Sequence, residues 1–190
     1  MIRGAIFDLD GTLFEGPYDW PEIRRRLGID GTDVTILDHL AELPAEQRAI
    51  KERQLRGFEE AATRDGTLKP DAAGLLEWLR GLKIKLALVT NNNGDCTREI
   101  VQRYGLRFDL VQTRESGLYK PSGRAMSEAA RGLGLPPGET VAIGDNELDN
   151  RAAHDAGMGV VIISNADAGR FRGRCDHALR DFHELRPVLE

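Results

Sequence analysis

Five short apolar runs set the frame for this chain: Ala5-Ile6-Phe7, Leu86 to Val89, Phe108 to Val111, Val141-Ala142-Ile143 and Val160 to Ile163. Each is too short for a helix and stops at a polar or glycine-bearing cluster, the pattern of a strand buried on both faces. Helical spacing fills most of the intervals. Leu75, Leu76, Leu79 and Leu82 follow Pro70 and Asp71, which are start signals; Ser122 can cap a helix ending near Gly134; Asp149 to Ala156 reads as a helix closed by Gly157. Strand, helix, strand in repetition calls for parallel pairing with right-handed crossovers. The expected fold is therefore α/β, a doubly wound parallel sheet.

The rhythm breaks between Glu15 and Gly66, where no strand is expected. Pro21, then Thr32 or Asp33, then Pro44 offer three helix starts, and Leu37 with Leu40, then Leu55, Phe58 and Ala62, offer apolar stripes. The expected organisation is a helical insertion over residues 15–66, placed after the first strand of a core made of residues 1–14 and 67–190. The 190 residues suit one domain with a small appendage, and 41% hydrophobic with 30% charged residues suits a soluble globular chain. A net charge of −5 argues against broad nucleic-acid binding. No apolar run approaches a membrane span, and the first apolar stretch meets Asp8 and Asp10 too soon for a signal peptide. Cys96 and Cys175 cannot make a disulfide framework. These features together predict a cytoplasmic protein without membrane or nucleic-acid partners.

Four polar clusters follow the runs or precede helix starts. The first is Phe7-Asp8-Leu9-Asp10-Gly11-Thr12. Carboxylates at i and i+2 of an extended segment can point the same way, and like charges that close repel unless a cation or proton intervenes. A hard divalent ion such as Mg²⁺ suits oxygen ligands, while an ordinary Asp-Gly turn is the competing account. The second, Val89-Thr90-Asn91-Asn92-Asn93-Gly94, puts a hydroxyl and amides where they can hold an anion or simply cap a helix. In Tyr119-Lys120-Pro121-Ser122, Lys120 is either a surface charge or a point charge for a phosphate. Ile143-Gly144-Asp145-Asn146-Glu147-Leu148-Asp149 carries three acids in five residues, suited to metal ligation or to a helix start favoured by the dipole. In an open parallel sheet, ligands bind beyond the carboxyl ends of the strands. Four unrelated turns gathered at that edge by chance is the weaker account.

Asp8-Leu9-Asp10-Gly11-Thr12, Thr90-Asn91, Lys120-Pro121 and Gly144-Asp145 with Asp149 resemble the four ordered motifs of the haloacid dehalogenase superfamily. The stretch from Lys120 to Gly159 is similar to its phosphoglycolate-phosphatase-like members. The resemblance covers about Met1 to Glu15 and Leu68 to Glu190; the insertion matches in position and helical character. It implies a Rossmann-like core with a small helical cap, and a Mg²⁺-dependent phosphatase acting on a small phosphorylated metabolite. By resemblance, Asp8 is the nucleophile that forms an aspartyl-phosphate, and Asp10 is the acid and then the base. Thr90 and Asn91 hold phosphoryl oxygens, and Lys120 neutralises charge on Asp8 and the phosphoryl group. Asp8, Asp145 and the backbone carbonyl of Asp10 ligate Mg²⁺, with Asp149 supporting the metal or Lys120 from behind. Phosphatases and phosphomutases have Asp at the second acidic position and dehalogenases lack it.

Two rivals stay open on the sequence. A phosphomutase similar to β-phosphoglucomutase uses the same Asp8 and metal but returns the phosphoryl group to a second hydroxyl. A non-catalytic phosphate-binding module has no need of Asp10. Outside the motifs, Arg24 to Arg26 read as a solvated helix face, Trp20 and Trp78 as packing residues, and Arg170 to Arg174 as a polar loop.

Overall fold

In the computed structural model, which describes residues 1–31, 34–163, 171 and 173–189, the strands are β1 (Gly4–Phe7), β2 (Phe14–Glu15), β3 (Thr67–Leu68), β4 (Lys85–Val89), β5 (Leu110–Gln112), β6 (Thr140–Gly144), β7 (Gly159–Ile163) and β8 (His177–Leu179). The helices are α1 (Trp20–Leu27), α2 (Ile36–Glu42), α3 (Ala45–Asp65), α4 (Ala72–Gly81), α5 (Gly94–Arg103), α6 (Gly123–Gly132), α7 (Glu147–Asp155) and α8 (Arg186–Leu189).

Six strands form one sheet in the order β5-β4-β1-β6-β7-β8, with every neighbouring pair parallel. Successive side chains alternate between its faces. Ala5, Phe7, Leu86, Leu88, Val141 and Ile143 pack with Leu75, Leu76 and Leu79 of α4 and Ile100 of α5. Ile6, Ala87, Val89, Ala142 and Val160 pack on the other side with Ala125, Met126 and Ala129 of α6 and Ala152 and Ala153 of α7. Both faces are thus covered, which is why the strands read as unbroken apolar runs. Taking the sheet strands alone in chain order, the arrangement is the Rossmann-like one, with the chain reversing its direction of travel between β1 and β6. That switch point opens a crevice at the carboxyl ends of these two strands.

Several local details differ from expectation, each for a physical reason. The third apolar run pairs from Leu110 rather than Phe108, because the Asp109 carboxylate takes the Leu86 N–H at 2.8 Å just before the ladder begins. Leu82 is 49% exposed: α4 ends at Gly81, and Leu82 is its C-terminal cap rather than a member of the buried stripe. Helix α7 begins at Glu147 instead of Asp149, because Asn146 and Asp149 form a reciprocal capping box. Strands β2 and β3 pair antiparallel, Phe14 with Leu68 and Glu15 with Thr67, so Glu15 belongs to a strand after all. Two residues are too few for any period to show.

The chain divides into two compact units, Met1–Glu15 with Thr67–Glu190, and Gly16–Gly66. The second unit is helical. Asp19 caps α1 through the Glu22 N–H at 3.0 Å with Pro21 in the first turn, and Pro44 precedes α3. Helix α2 is capped by Thr35, which accepts the Asp38 N–H at 3.1 Å; Thr32 and Asp33 lie outside the described residues. Ile23, Leu27, Ile29, Leu40 and Leu55 form the unit's own apolar centre. Arg25 and Arg26 pair with Glu22 on the surface, whereas Arg24 donates to the carbonyls of Gly31 and Val34 and is thus a loop tie. Trp20 is half-exposed and stacks on Tyr18 at 4.5 Å, so only Trp78 packs against the core. Arg170 and Arg172 lie outside the described residues; Phe171 is buried beneath the sheet and Arg174 pairs with Glu147 at 2.8 Å. Among the described residues, no helix is long and apolar enough to cross a membrane.

The exposure contrast within the leucine stripe is measurable. Leu79→Ala is expected to cost about 2–5 kcal/mol of unfolding free energy in denaturant titration, because a filled core site becomes a cavity. Leu82→Ala should stay within about 0.5 kcal/mol of the parent. Equal losses at the two positions would contradict the buried face described above.

Candidate active site

Asp8 is the first residue beyond β1, and its N–H donates to the Ile143 carbonyl of β6 at 2.9 Å. The switch point therefore holds it. Asp145 is the first residue beyond β6, and Asp149 lies one turn into α7. One oxygen from each of Asp8, Asp145 and Asp149 falls within 4.8 Å of the others. Two glycines make this approach possible. A Cβ at Gly144 would lie 2.3 Å from the Asp149 carboxyl carbon. At Gly11, where φ is +87°, a Cβ would lie 2.3 Å from an Asp145 oxygen. Neither position tolerates a side chain without displacing an acid.

Lys120 lies between β5 and α6 and reaches into this group. Its Nζ is 2.5 Å from Asp8 Oδ1 and 2.6 Å from Asp149 Oδ1, and all three side chains are buried. The other Asp149 oxygen accepts the N–H groups of Asp145 at 3.1 Å and Asn146 at 3.3 Å. Asp149 thus orients both the lysine and the loop bearing Asp145. Thr12 Oγ1 donates to Asp145 Oδ1 at 3.3 Å, and the Asn146 amide reaches the same oxygen at 3.1 Å.

The remaining sequence candidates divide. Asp10 lies outside the acid trio, and its Oδ2 accepts from Asn92 Nδ2 at 2.8 Å. Thr90 is buried at the end of β4, and its hydroxyl accepts the Asn92 N–H at 3.1 Å. The side chain of Asn91, a residue expected to hold a phosphoryl oxygen, donates from its amide to the Lys120 carbonyl at 2.8 Å and accepts the Lys120 N–H at 2.9 Å. Both ends of Asn91 fasten the backbone that carries Lys120.

Lys69 escaped the sequence reading. It follows β3, its ammonium donates to the Gly11 carbonyl, and it pairs with Glu15 at 3.3 Å. It therefore ties the Asp10-Gly11 turn to the paired strands β2 and β3. No apolar run ends at Lys69, so nothing in the local sequence marks it.

The electrostatics follow from crowding. Burial is the main force pushing the Asp8 carboxyl well above its ordinary range, with Asp149 and Asp145 adding to it and Lys120 opposing. Burial also works against the Lys120 ammonium, but the carboxylates of Asp149 and Asp8 outweigh it and hold the lysine above its ordinary value. Asp145 is pushed up to about 7, by burial first and by the Asp149 charge second. Fully ionised, the three carboxylates would outnumber the Lys120 ammonium, and the raised Asp8 and Asp145 carboxyls answer that excess by favouring their protonated forms, with Lys120 and Lys69 opposing the rise at Asp145.

A family model described as haloacid dehalogenase-like hydrolase matches residues 2–157. The chain belongs to the haloacid dehalogenase-like hydrolases. Within that family it is 28% identical to a glyceraldehyde 3-phosphate phosphatase from Methanopyrus kandleri, over 98% of this chain and 94% of that one. It is 26% identical to a phosphoglycolate phosphatase from Chromobacterium violaceum, covering 100% and 97% of the two chains. The crystal structure of a hydrolase from Pseudomonas syringae superposes with a TM-score of 0.82 at 24% identity, over 98% of this chain and 97% of that one, and attests the shared fold. The parallel sheet, the acid trio at its switch point and the buried lysine are thus features of a haloacid dehalogenase-like hydrolase.

The raised Asp145 carboxyl links stability to pH. The folded, metal-free chain holds this proton from the ordinary carboxylate range up to about 7, and the unfolded chain does not. The folded state is therefore favoured at the acid end, and that advantage is lost as pH rises through about 7. In chelator, Asp145→Asn should become progressively more stable relative to the parent as pH is raised from about 5 to about 8, measured as the difference in Tm. A constant difference across that interval would contradict the assignment.

Proposed function

We propose that this hydrolase is a Mg²⁺-dependent phosphatase that cleaves a small organic phosphate monoester through an aspartyl-phosphate on Asp8. One observation supports this above the others: a buried ammonium stands 2.5 Å from Asp8 Oδ1, in a group where Asp145 and Asp149 also converge. The donor set fits a hard divalent cation, since three carboxyl oxygens converge within 4.8 Å and a bound cation would favour the ionised forms of the raised Asp8 and Asp145 carboxyls. Asp8, Asp145 and the backbone carbonyl of Asp10 would hold the ion, with Asp149 bracing Asp145 and Lys120. When bound, Mg²⁺ would supply electrostatic relief between the nucleophile and the phosphate dianion.

The chain's own residues divide the rest. An Asp8 oxygen attacks phosphorus as the ester P–O bond breaks, and Asp10 gives its proton to the departing oxygen. Water then attacks the aspartyl-phosphate, its proton passes to Asp10, and the Asp8 O–P bond breaks to release inorganic phosphate. Lys120 offsets charge on Asp8 and the phosphoryl group. Thr90, whose hydroxyl accepts from Asn92, keeps its own proton for a phosphoryl oxygen. The Asn91 side chain bonds the Lys120 backbone at both amide ends and so helps position it, and Asn91 is proposed as well to hold a phosphoryl oxygen. The insertion of residues 16–66, a separate helical unit, is proposed to act as a cap that bounds substrate size. Two relatives named for glyceraldehyde 3-phosphate and phosphoglycolate support a small anionic ester as the substrate class. Relatives named as phosphatases favour water as the acceptor over a second hydroxyl of a phosphomutase substrate.

Asp8→Asn is expected to lower phosphate release from a panel of monoesters by about 10³-fold or more while leaving the fold intact by circular dichroism. Chelation should abolish the parent's activity and Mg²⁺ restore it. Near-parental hydrolysis by Asp8→Asn, or full activity in chelator, would refute the mechanism.

A further inference from the structure

We propose that Asn92 is a positioning residue that fixes the Asp10 carboxyl and directs its transferable proton to Oδ1. The inference rests on the reading of Asp10 as acid and base. Asn92 is 4% exposed, in the loop between β4 and α5. Its amide has a determined orientation. Asn92 Oδ1 lies 2.7 Å from the backbone N–H of Asn93, a group that can only donate. The oxygen must face that N–H, so the NH₂ faces Asp10 and donates to Oδ2 at 2.8 Å. The loop behind it is fixed at both ends. Asn92 N–H is held by Thr90 Oγ1 at 3.1 Å, and the Asn93 side chain caps α5 through the Cys96 N–H at 2.9 Å. Asn92 thus carries the rigidity of a helix start to a carboxylate 82 residues away in sequence.

The consequence is chemical. A carboxyl oxygen that accepts an amide N–H is the poorer place for a proton, because protonation weakens it as an acceptor. Protonated Asp10 therefore carries its hydrogen on Oδ1 and keeps Oδ2 as the carbonyl oxygen. In the first half-reaction the Oδ1 proton passes to the ester oxygen as the P–O bond breaks. In the second, a water proton returns to Oδ1 as the water oxygen bonds to phosphorus. Without the amide Oδ2 loses this donor, and the terminal carboxyl torsion is intrinsically broad. The proton is then presented in the wrong direction for part of the time. The cost depends on the leaving group: an alkoxide needs the proton, whereas p-nitrophenolate departs without it.

The test is kcat/KM, which reports the steps through departure of the leaving group, on p-nitrophenyl phosphate, phenyl phosphate and a simple alkyl phosphate. The parent, Asn92→Leu and Asp10→Ala are compared with saturating Mg²⁺. Asn92→Leu keeps the size of the side chain and removes the donor. It is expected to lose about 10- to 100-fold on the alkyl ester and less than about 3-fold on p-nitrophenyl phosphate, a fraction of the range for general acid catalysis. Asp10→Ala should show the same trend more steeply. A uniform loss across the three esters, or no loss, for Asn92→Leu beside a steep Asp10→Ala series overturns the role of Asn92 and spares that of Asp10. A flat Asp10→Ala series overturns the acid reading itself. Should Asn92→Leu fail to fold, Asn92→Ala, which also lacks a directed donor, is read by the same criterion.

Discussion

Everything at this site answers to one concentration of charge. Asp8, Asp145 and Asp149 are brought within a few ångströms in a buried crevice, and Lys120 bridges two of them. Such an arrangement is costly in isolation, because each charge gives up its water. The lysine recovers part of that cost through two short charge-assisted bonds. On the proposed mechanism, the negative charge that remains once these acids ionise is what a divalent cation would cancel before a phosphoryl group reaches Asp8.

The fold contributes the means of assembly. The switch point between β1 and β6 leaves a gap between diverging connections, and Asp8 and Asp145 are the first residues past the two strands that border it. Hydrogen bonds at the strand ends, such as Asp8 N–H to Ile143, make the placement as stiff as the sheet. Close approach is completed by absent side chains. Gly11 and Gly144 each face an acid at a distance no Cβ tolerates. These glycines serve the electrostatics as directly as the acids do.

Much of this was legible in the chain because the chemistry is tied to local order. A strand that ends in a buried sheet announces itself as an apolar run; Asp8 and Thr90 follow such a run immediately, and Asp145 follows one after a single glycine. What was not legible depends on pairings across sequence distance. Lys69 follows a two-residue strand whose partner lies beyond the insertion, so no period marks it. The hold of the Asn91 side chain on the Lys120 backbone joins segments 29 residues apart, and nothing local marks it. Leu82 fits the helical stripe by spacing, but the helix stops one residue short of it. Hydrophobic period reports which face an element buries, and is silent about where the element ends.

The two acids of the first motif show how one short segment is given two chemistries. Asp8 and Asp10 are the same residue type, two positions apart. Asp8 is set against a permanent cation and two like charges, which keeps it oriented toward Lys120 and dependent on further positive charge. Asp10 lies outside the trio, and its Oδ2 accepts from the Asn92 amide. An ammonium opposes the desolvation of the carboxylate it faces, and an amide donor orients a carboxyl. On the proposed mechanism the nucleophile takes the first neighbour and the acid and base the second, so the contrast between Lys120 and Asn92 would divide the labour between residues that the sequence alone makes equivalent.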